Sequence, residues 1–206
     1  MKKDIKRLAT IHRLQVTGLE LFYQKGYYNT SIDDILKELS LSKGAFYHHF
    51  KTKEEYFISI VQNLLFRRIY SQLIAPLEAK GDPVNNIIKC FDESLETAEH
   101  NFLDYGCVLG NFMTEFNGKN PEIMRYLQDI LKVWEVNLVT ILQRGKTDGH
   151  VNRHVDCEAV ANYLIASYLG IRILMVEGNG KNLRYKYIQQ LKQYLKIVGD
   201  VNVTMY

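Results

Sequence analysis

The chain is poor in the residues that staple or stiffen small proteins. Its 206 residues include only three cysteines and three prolines. Cys90, Cys107 and Cys157 are an odd number without paired spacing. That argues against a disulfide framework or a cysteine zinc site and fits reduced thiols in a cytoplasm. No run of about 18 apolar residues occurs, so no membrane span is expected. The opening MKKDIKRL is basic but lacks the apolar stretch and small-residue cleavage site of a secretory signal. No alternating strand pattern persists, and there is no low-complexity linker or internal repeat. Also missing are a Glu-x-x-His pair, a His-Glu-x-x-His, a glycine-rich phosphate loop and a nucleophile elbow, so no catalytic residue, metal ligand or cofactor is assigned.

What remains reads as all-α. Hydrophobic residues make up 47% of the chain, enough for a substantial core. The few prolines fall where helical patterns begin or end. Asp82-Pro83 and Asn120-Pro121 each place a good N-cap before a proline at the first helical position, where its missing N–H costs nothing. The pattern predicts nine helices, at about 4–25, 31–38, 42–49, 53–75, 83–104, 107–117, 121–146, 156–177 and 182–199. In the first, Leu8, Ile11, Leu14, Leu19 and Phe22 have helical spacing.

Charge is unevenly placed. Residues 1–55 hold ten Lys/Arg against seven Asp/Glu, whereas the rest of the chain holds sixteen of each, so the whole net charge of +3 lies in the first quarter. Such asymmetry suggests an anionic partner for that segment. The same segment contains SIDDILKELSLSKGAFYHHF, residues 31–50. Ser31 is a good N-cap, and Asp34 three residues on completes a capping box with a shortened acid. Leu39-Ser40-Leu41 makes the turn, Ser42 caps the next helix and Thr52 the one after. With Ala45, Phe46 and Phe50 packed inward, Lys43, Gly44, Tyr47 and His48 face out. This is the pattern of a helix-turn-helix, whose second helix enters the major groove.

The stretch from Leu19 to Phe57, with LELFYQKGYYNTSIDDI and SKGAFYHHFKTKEEYF, resembles the DNA-binding domain of TetR/AcrR family transcriptional regulators. The resemblance implies an N-terminal three-helix DNA-binding domain (1–52) and a larger helical effector-binding and dimerisation domain (53–206). It implies a DNA-binding set of Thr30, Ser31, Lys43, Gly44, Phe46, Tyr47, His48 and Lys53, with Gly44 and Phe46 near base edges and Thr30, Lys43, Tyr47, His48 and Lys53 toward the backbone. The partners implied are a palindromic double-stranded operator, a second copy of the chain and a small-molecule effector of unknown identity. The family usually has Ala-Gly where this chain has Leu39-Ser40, and a residue other than glycine is unfavourable where φ must be positive.

In the C-terminal part, the last two long helices (156–177 and 182–199) match the dimer-forming pair of TetR-like proteins. Ala159, Tyr163, Ala166, Gly170 and Ile173 form a small, apolar stripe suited to close helix packing. The segment Gly106-Cys107-Val108-Leu109-Gly110-Asn111-Phe112 resembles a stretch of the AcuR- and NemR-like subgroup, some of whose members sense electrophiles or oxidants through this cysteine. Cys107 thus reads either as a sensor thiol at a helix N-terminus or as a small buried residue. Asn111, Glu115, Tyr105 and Trp134, with His100, are the further effector-site candidates. A helical-bundle small-molecule-binding or metal protein without DNA function is the competing reading. Its only metal-like spacing, His150 and His154, flanks Asn152-Arg153 in an expected loop.

Overall fold

Local capping fixes where most helices begin. The computed structural model describes residues 2–99, 105–176 and 180–199, and it is helical without strands among them. The helices are α1 (Lys2–Lys25), α2 (Ile32–Leu39), α3 (Lys43–Tyr47), α4 (opening at Lys53–Ile60), α5 (Pro83–Glu99), α6 (Val108–Phe116), α7 (Pro121–Thr147), α8 (Cys157–Leu174) and α9 (Gly180–Gly199). The Asp82 and Asn120 side chains accept the N–H groups of Val84 and Ile123 at 2.9 Å, so both proline starts are capped as expected. Asp156 caps α8 through the N–H groups of Glu158 and Ala159. The predicted end of α5, with His100, lies outside the described residues.

After Ile60, α4 stays helical to Glu78 but changes pitch. Two π-helical stretches, Val61–Leu65 and Tyr70–Ile74, flank one α-helical turn, Phe66–Ile69, and a 3-10 turn follows at Ala75–Glu78. No proline or glycine between 53 and 75 signals these widened turns.

The chain divides into two compact units that are discontinuous in sequence. The first joins Met1–Arg68 to Val108–Asp129; the second joins Ile69–Cys107 to Ile130–Tyr206. The core of the first is aromatic. Phe22, Phe46, Tyr56, Phe57, Phe112 and Phe116 are all but fully buried. Phe57 packs edge-on against Phe112, with ring centroids 5.0 Å apart. Leu14 is buried as the first helix's spacing predicts, but Leu8 is 63% exposed. Ile5 is equally exposed, so the first turns of α1 carry their apolar stripe beyond the core.

In the second unit, Phe91, Trp134 and Tyr168 pack mutually. Trp134 meets Tyr168 at 5.5 Å and 89°, and the Tyr168 hydroxyl pairs with Ser94 Oγ at 2.7 Å. Arg184 ties α9 to α5 through Asp92 at 2.9 Å and Glu96 at 3.3 Å. Helix α8 is long and apolar enough by composition to cross a membrane, with mean hydropathy 1.2. Val160, Ala161, Leu164, Ile165, Tyr168 and Ile171 on it are buried within this protein, as in a core helix.

Candidate nucleic-acid interface

The two helices of the motif are set by three caps and one strained residue. Ser31 accepts the Asp34 N–H at 3.1 Å, and the Asp34 carboxylate accepts the Ser31 N–H at 2.8 Å, completing the capping box. These Ser31 hydrogen bonds hold the Asp34 carboxyl below its usual range. At the other end of α2, Leu41 N–H donates to Leu36 O at 3.0 Å and Ser40 N–H to Lys37 O at 3.2 Å, the two bonds of a Schellman ending. That ending places Ser40 in the left-handed region, φ 53° and ψ 40°, the only described non-glycine residue with positive φ. Here glycine would be free of the side-chain clash, so Ser40→Gly should stabilise the protein by about 1 kcal/mol in a denaturant titration. An unchanged or lower midpoint would contradict this.

Ser42 opens α3 by accepting the Ala45 N–H at 3.3 Å. This helix is shorter than predicted and ends at Tyr47, where His49 N–H turns back to Phe46 O at 2.8 Å. Its open face carries Lys43, Gly44, Tyr47 (55% exposed) and His48. Lys43 pairs with Asp33 at 2.9 Å across the exposed surface, which raises its pKa. A methyl group at Gly44 would meet only Ser42 Oγ, at 3.9 Å. The protein's own packing therefore does not require glycine there. What its absent side chain permits is close approach from outside.

Two of the expected DNA ligands, Thr30 and Phe46, are turned inward, and a third, Lys53, is half-buried. Thr30 is 1% exposed, and its hydroxyl donates to Gly26 O at 2.8 Å at the end of α1. Phe46, expected near base edges, is fully buried and packs edge-on against Tyr56 at 5.2 Å. An apolar ring on the only inward face of a short helix gains more from the core than from water. Lys53 lies 4.0 Å from the centre of the Tyr27 ring, and its ammonium donates to Tyr27 O. Burial lowers its pKa, against the opposing pull of Glu115 and Asp34. Ser31 is exposed, but its hydroxyl is occupied by Asp34 at 2.6 Å.

Glu115 on α6, expected at the effector site, lies in this first unit. Its two carboxylate oxygens accept the N–H groups of Tyr27 and Tyr28, each at 3.0 Å. Asn120 anchors the following turn by donating to Glu54 at 2.7 Å. Sequence patterns could not find these pairs, because each joins residues more than 60 positions apart.

Comparison with known proteins identifies this architecture. Residues 16–60 match the model for bacterial regulatory proteins of the tetR family, and residues 83–184 match the tetracyclin repressor-like C-terminal domain. The chain belongs to the TetR family. Members of this family are DNA-binding transcriptional regulators rather than enzymes. The transcriptional repressor DhaR of Mycobacterium sp. (strain GP1) is 27% identical over 89% of this chain and 87% of its own. The regulator AcuR of Cereibacter sphaeroides is 27% identical over 70% of this chain and 66% of its own. A TetR regulator from Chloroflexus aurantiacus has a crystal structure that superposes with TM-score 0.83 at 25% identity, covering 93% of this chain and 96% of that one.

The remaining effector candidates of this TetR-family chain are divided between the units. Asn111 is half-buried on α6 in the first; Tyr105, Cys107 and Trp134 belong to the second. Cys107 is 5% exposed and directly precedes α6. The neighbouring Gly106 O accepts from the buried guanidinium of Arg172, a residue that sequence patterns did not single out. Trp134 is fully enclosed, and its indole N–H has no hydrogen-bond partner. Cys90 donates to Gln72 O at 3.4 Å, and burial pushes its thiol up to about 12. Among the described residues no three His, Cys, Asp or Glu side chains cluster as a metal site would need.

Proposed function

We propose that this protein is a dimeric cytoplasmic repressor that binds a palindromic operator and is released by a small organic effector. Residues 1–52 bind DNA, and residues 53–206 bind the effector and form the dimer. The observation that carries the reading is the open face of α3, where Lys43, Gly44, Tyr47 and His48 stand together exposed. A point charge, an open backbone, a phenol and an imidazole suit phosphate and base-edge contacts in a major groove. The name repressor is carried by the similar DhaR.

Dimerisation is supported by the stripe on α8. Ala159, Tyr163, Ala166, Gly170 and Ile173 are all exposed, and nothing lies within 4 Å of a methyl group built at Gly170. Such a stripe of small and apolar residues suits a second helix at close range. A dimer also presents two recognition helices to the two halves of a palindrome. The burial of Cys107 favours release by a bound molecule over direct attack on its thiol, because reactive cysteines need access. Release requires that the effector bind the DNA-free conformer more tightly than the DNA-bound one.

A gel shift with DNA from upstream of its own gene tests the reading. Tyr47→Ala and Lys43→Ala should each weaken binding about tenfold, and Gly170→Glu should weaken it further by splitting the dimer. Wild-type binding by all three variants would overturn the assignment.

A further inference from the structure

A groove of about 770 Å³ runs between the first turns of α1 and the exit of α3, lined by Lys6, Arg7, Thr10, Leu41, Gly44, Ala45, His48 and His49. Its walls hold a lysine, an arginine and two imidazoles, and no carboxylate among the described residues. The imidazoles of His48 and His49 meet at 4.9 Å. Burial, His48 and Arg7 together hold the His49 pKa below its usual value, as expected where positive charge gathers on one side. Two lining residues, Gly44 and His48, also belong to the open face of α3.

These first turns serve no visible packing purpose. Residues 5–9 are all exposed, and Ile5 and Leu8 stand out with them. The helix nevertheless continues, and it brings Lys6 and Thr10, one turn apart, to the same groove edge. Lys6 and Arg7 therefore line the groove with no packing role of their own among the described residues.

We infer that the groove between α1 and α3 holds DNA backbone phosphates, with Lys6 and Arg7 as phosphate ligands outside the base-reading contacts. The inference rests on the DNA-binding reading of α3 and extends the protein's footprint along the duplex. Lysine and arginine in a concave wall position a duplex without reading its sequence. Each contact releases condensed counterions, so its loss leaves a signature in the salt dependence that loss of a base contact lacks.

The test uses full-length protein, a fluorescent duplex from upstream of its own gene and a scrambled duplex of equal length. Both are titrated across a salt series. The double variant Lys6→Ala/Arg7→Ala should bind both duplexes about tenfold or more weakly, and the slope of log affinity against log salt should fall by about 2. Both positions are exposed on a helix, so alanine should preserve the fold, which circular dichroism checks. If the double variant keeps wild-type affinity and slope while Tyr47→Ala loses the upstream duplex, the groove assignment falls and the reading of α3 stands. If the wild type binds neither duplex, both fall together.

Discussion

Glu115→Ala should cost about 3 kcal/mol of stability and weaken DNA binding in the same protein. One carboxylate accepts two successive backbone N–H groups, from Tyr27 and Tyr28, each at 3.0 Å. Hydrogen bonds to an ionised acceptor are worth about 1.5–3 kcal/mol each, and the more exposed Tyr28 bond lies at the low end. Alanine leaves both donors without that acceptor. For a chain of this length the loss corresponds to a melting temperature lower by about 6–12 °C. The effect on DNA binding follows from position. Tyr27 and Tyr28 connect the end of α1 to Thr30 and Ser31, and Ser31 is the N-cap of α2. The ring of Tyr27 also packs on Phe116 of α6 at 4.9 Å, and its carbonyl accepts from Lys53 at the start of α4. Loosening this junction changes how α2 and α3 are presented. Glu115→Gln keeps one acceptor oxygen but turns its amide N–H toward the second donor, so it should fall between wild type and alanine. A thermal melt of Glu115→Ala that matches wild type would refute this account.

The same junction marks what the sequence could and could not disclose. Caps act within three residues, so Ser31, Ser42, Thr52, Asp82 and Asn120 were legible as helix starts, and each accepts the N–H it should. The strain at Ser40 was legible through the family resemblance, whose usual Ala-Gly stands where this chain has Leu39-Ser40, and the left-handed residue there bears it out. The stripe on α8 was legible through its helical period. Side-chain direction was harder. Lysine and threonine suit phosphate contact by residue type, yet the Thr30 hydroxyl donates to the carbonyl of Gly26 and the Lys53 ammonium directs one of its three donors to that of Tyr27. Those carbonyls become available only through the way α1 ends. The apolar period of α1 predicted one continuous buried face, but burial also depends on whether neighbours reach that far, and at Leu8 they do not. Glu115 carried no local signal, since its partners lie 88 and 87 residues away.

Gly18→Ala should be as damaging as the loss of Glu115, by overpacking rather than by lost hydrogen bonds. A methyl group at residue 18 would lie 1.9 Å from Tyr56 Oη and 2.6 Å from Cζ. Contacts that short cannot exist, so α1 and α4 must separate or Tyr56 must leave its place. Tyr56 has little room to leave. It is fully buried, it packs on Phe22, Phe46 and Phe50, and its hydroxyl donates to Leu14 O. Burial raises its pKa far above that of a free phenol, so ionisation offers no escape in the neutral range. Forcing a methyl into such a site costs about 1–3 kcal/mol, and displacing the hydroxyl from its acceptor adds about 1 kcal/mol. A double-mutant cycle isolates the clash. Tyr56→Phe alone should destabilise the protein modestly by removing one buried hydrogen bond. Combined with Gly18→Ala it removes the atom of closest contact, so the double variant should be more stable than the two single losses predict when added. The Cζ position remains within 2.6 Å, so the rescue should be partial. Strict additivity in denaturant titrations would mean that Gly18 and Tyr56 do not press on one another, and that the close approach of α1 to α4 is not set by this pair.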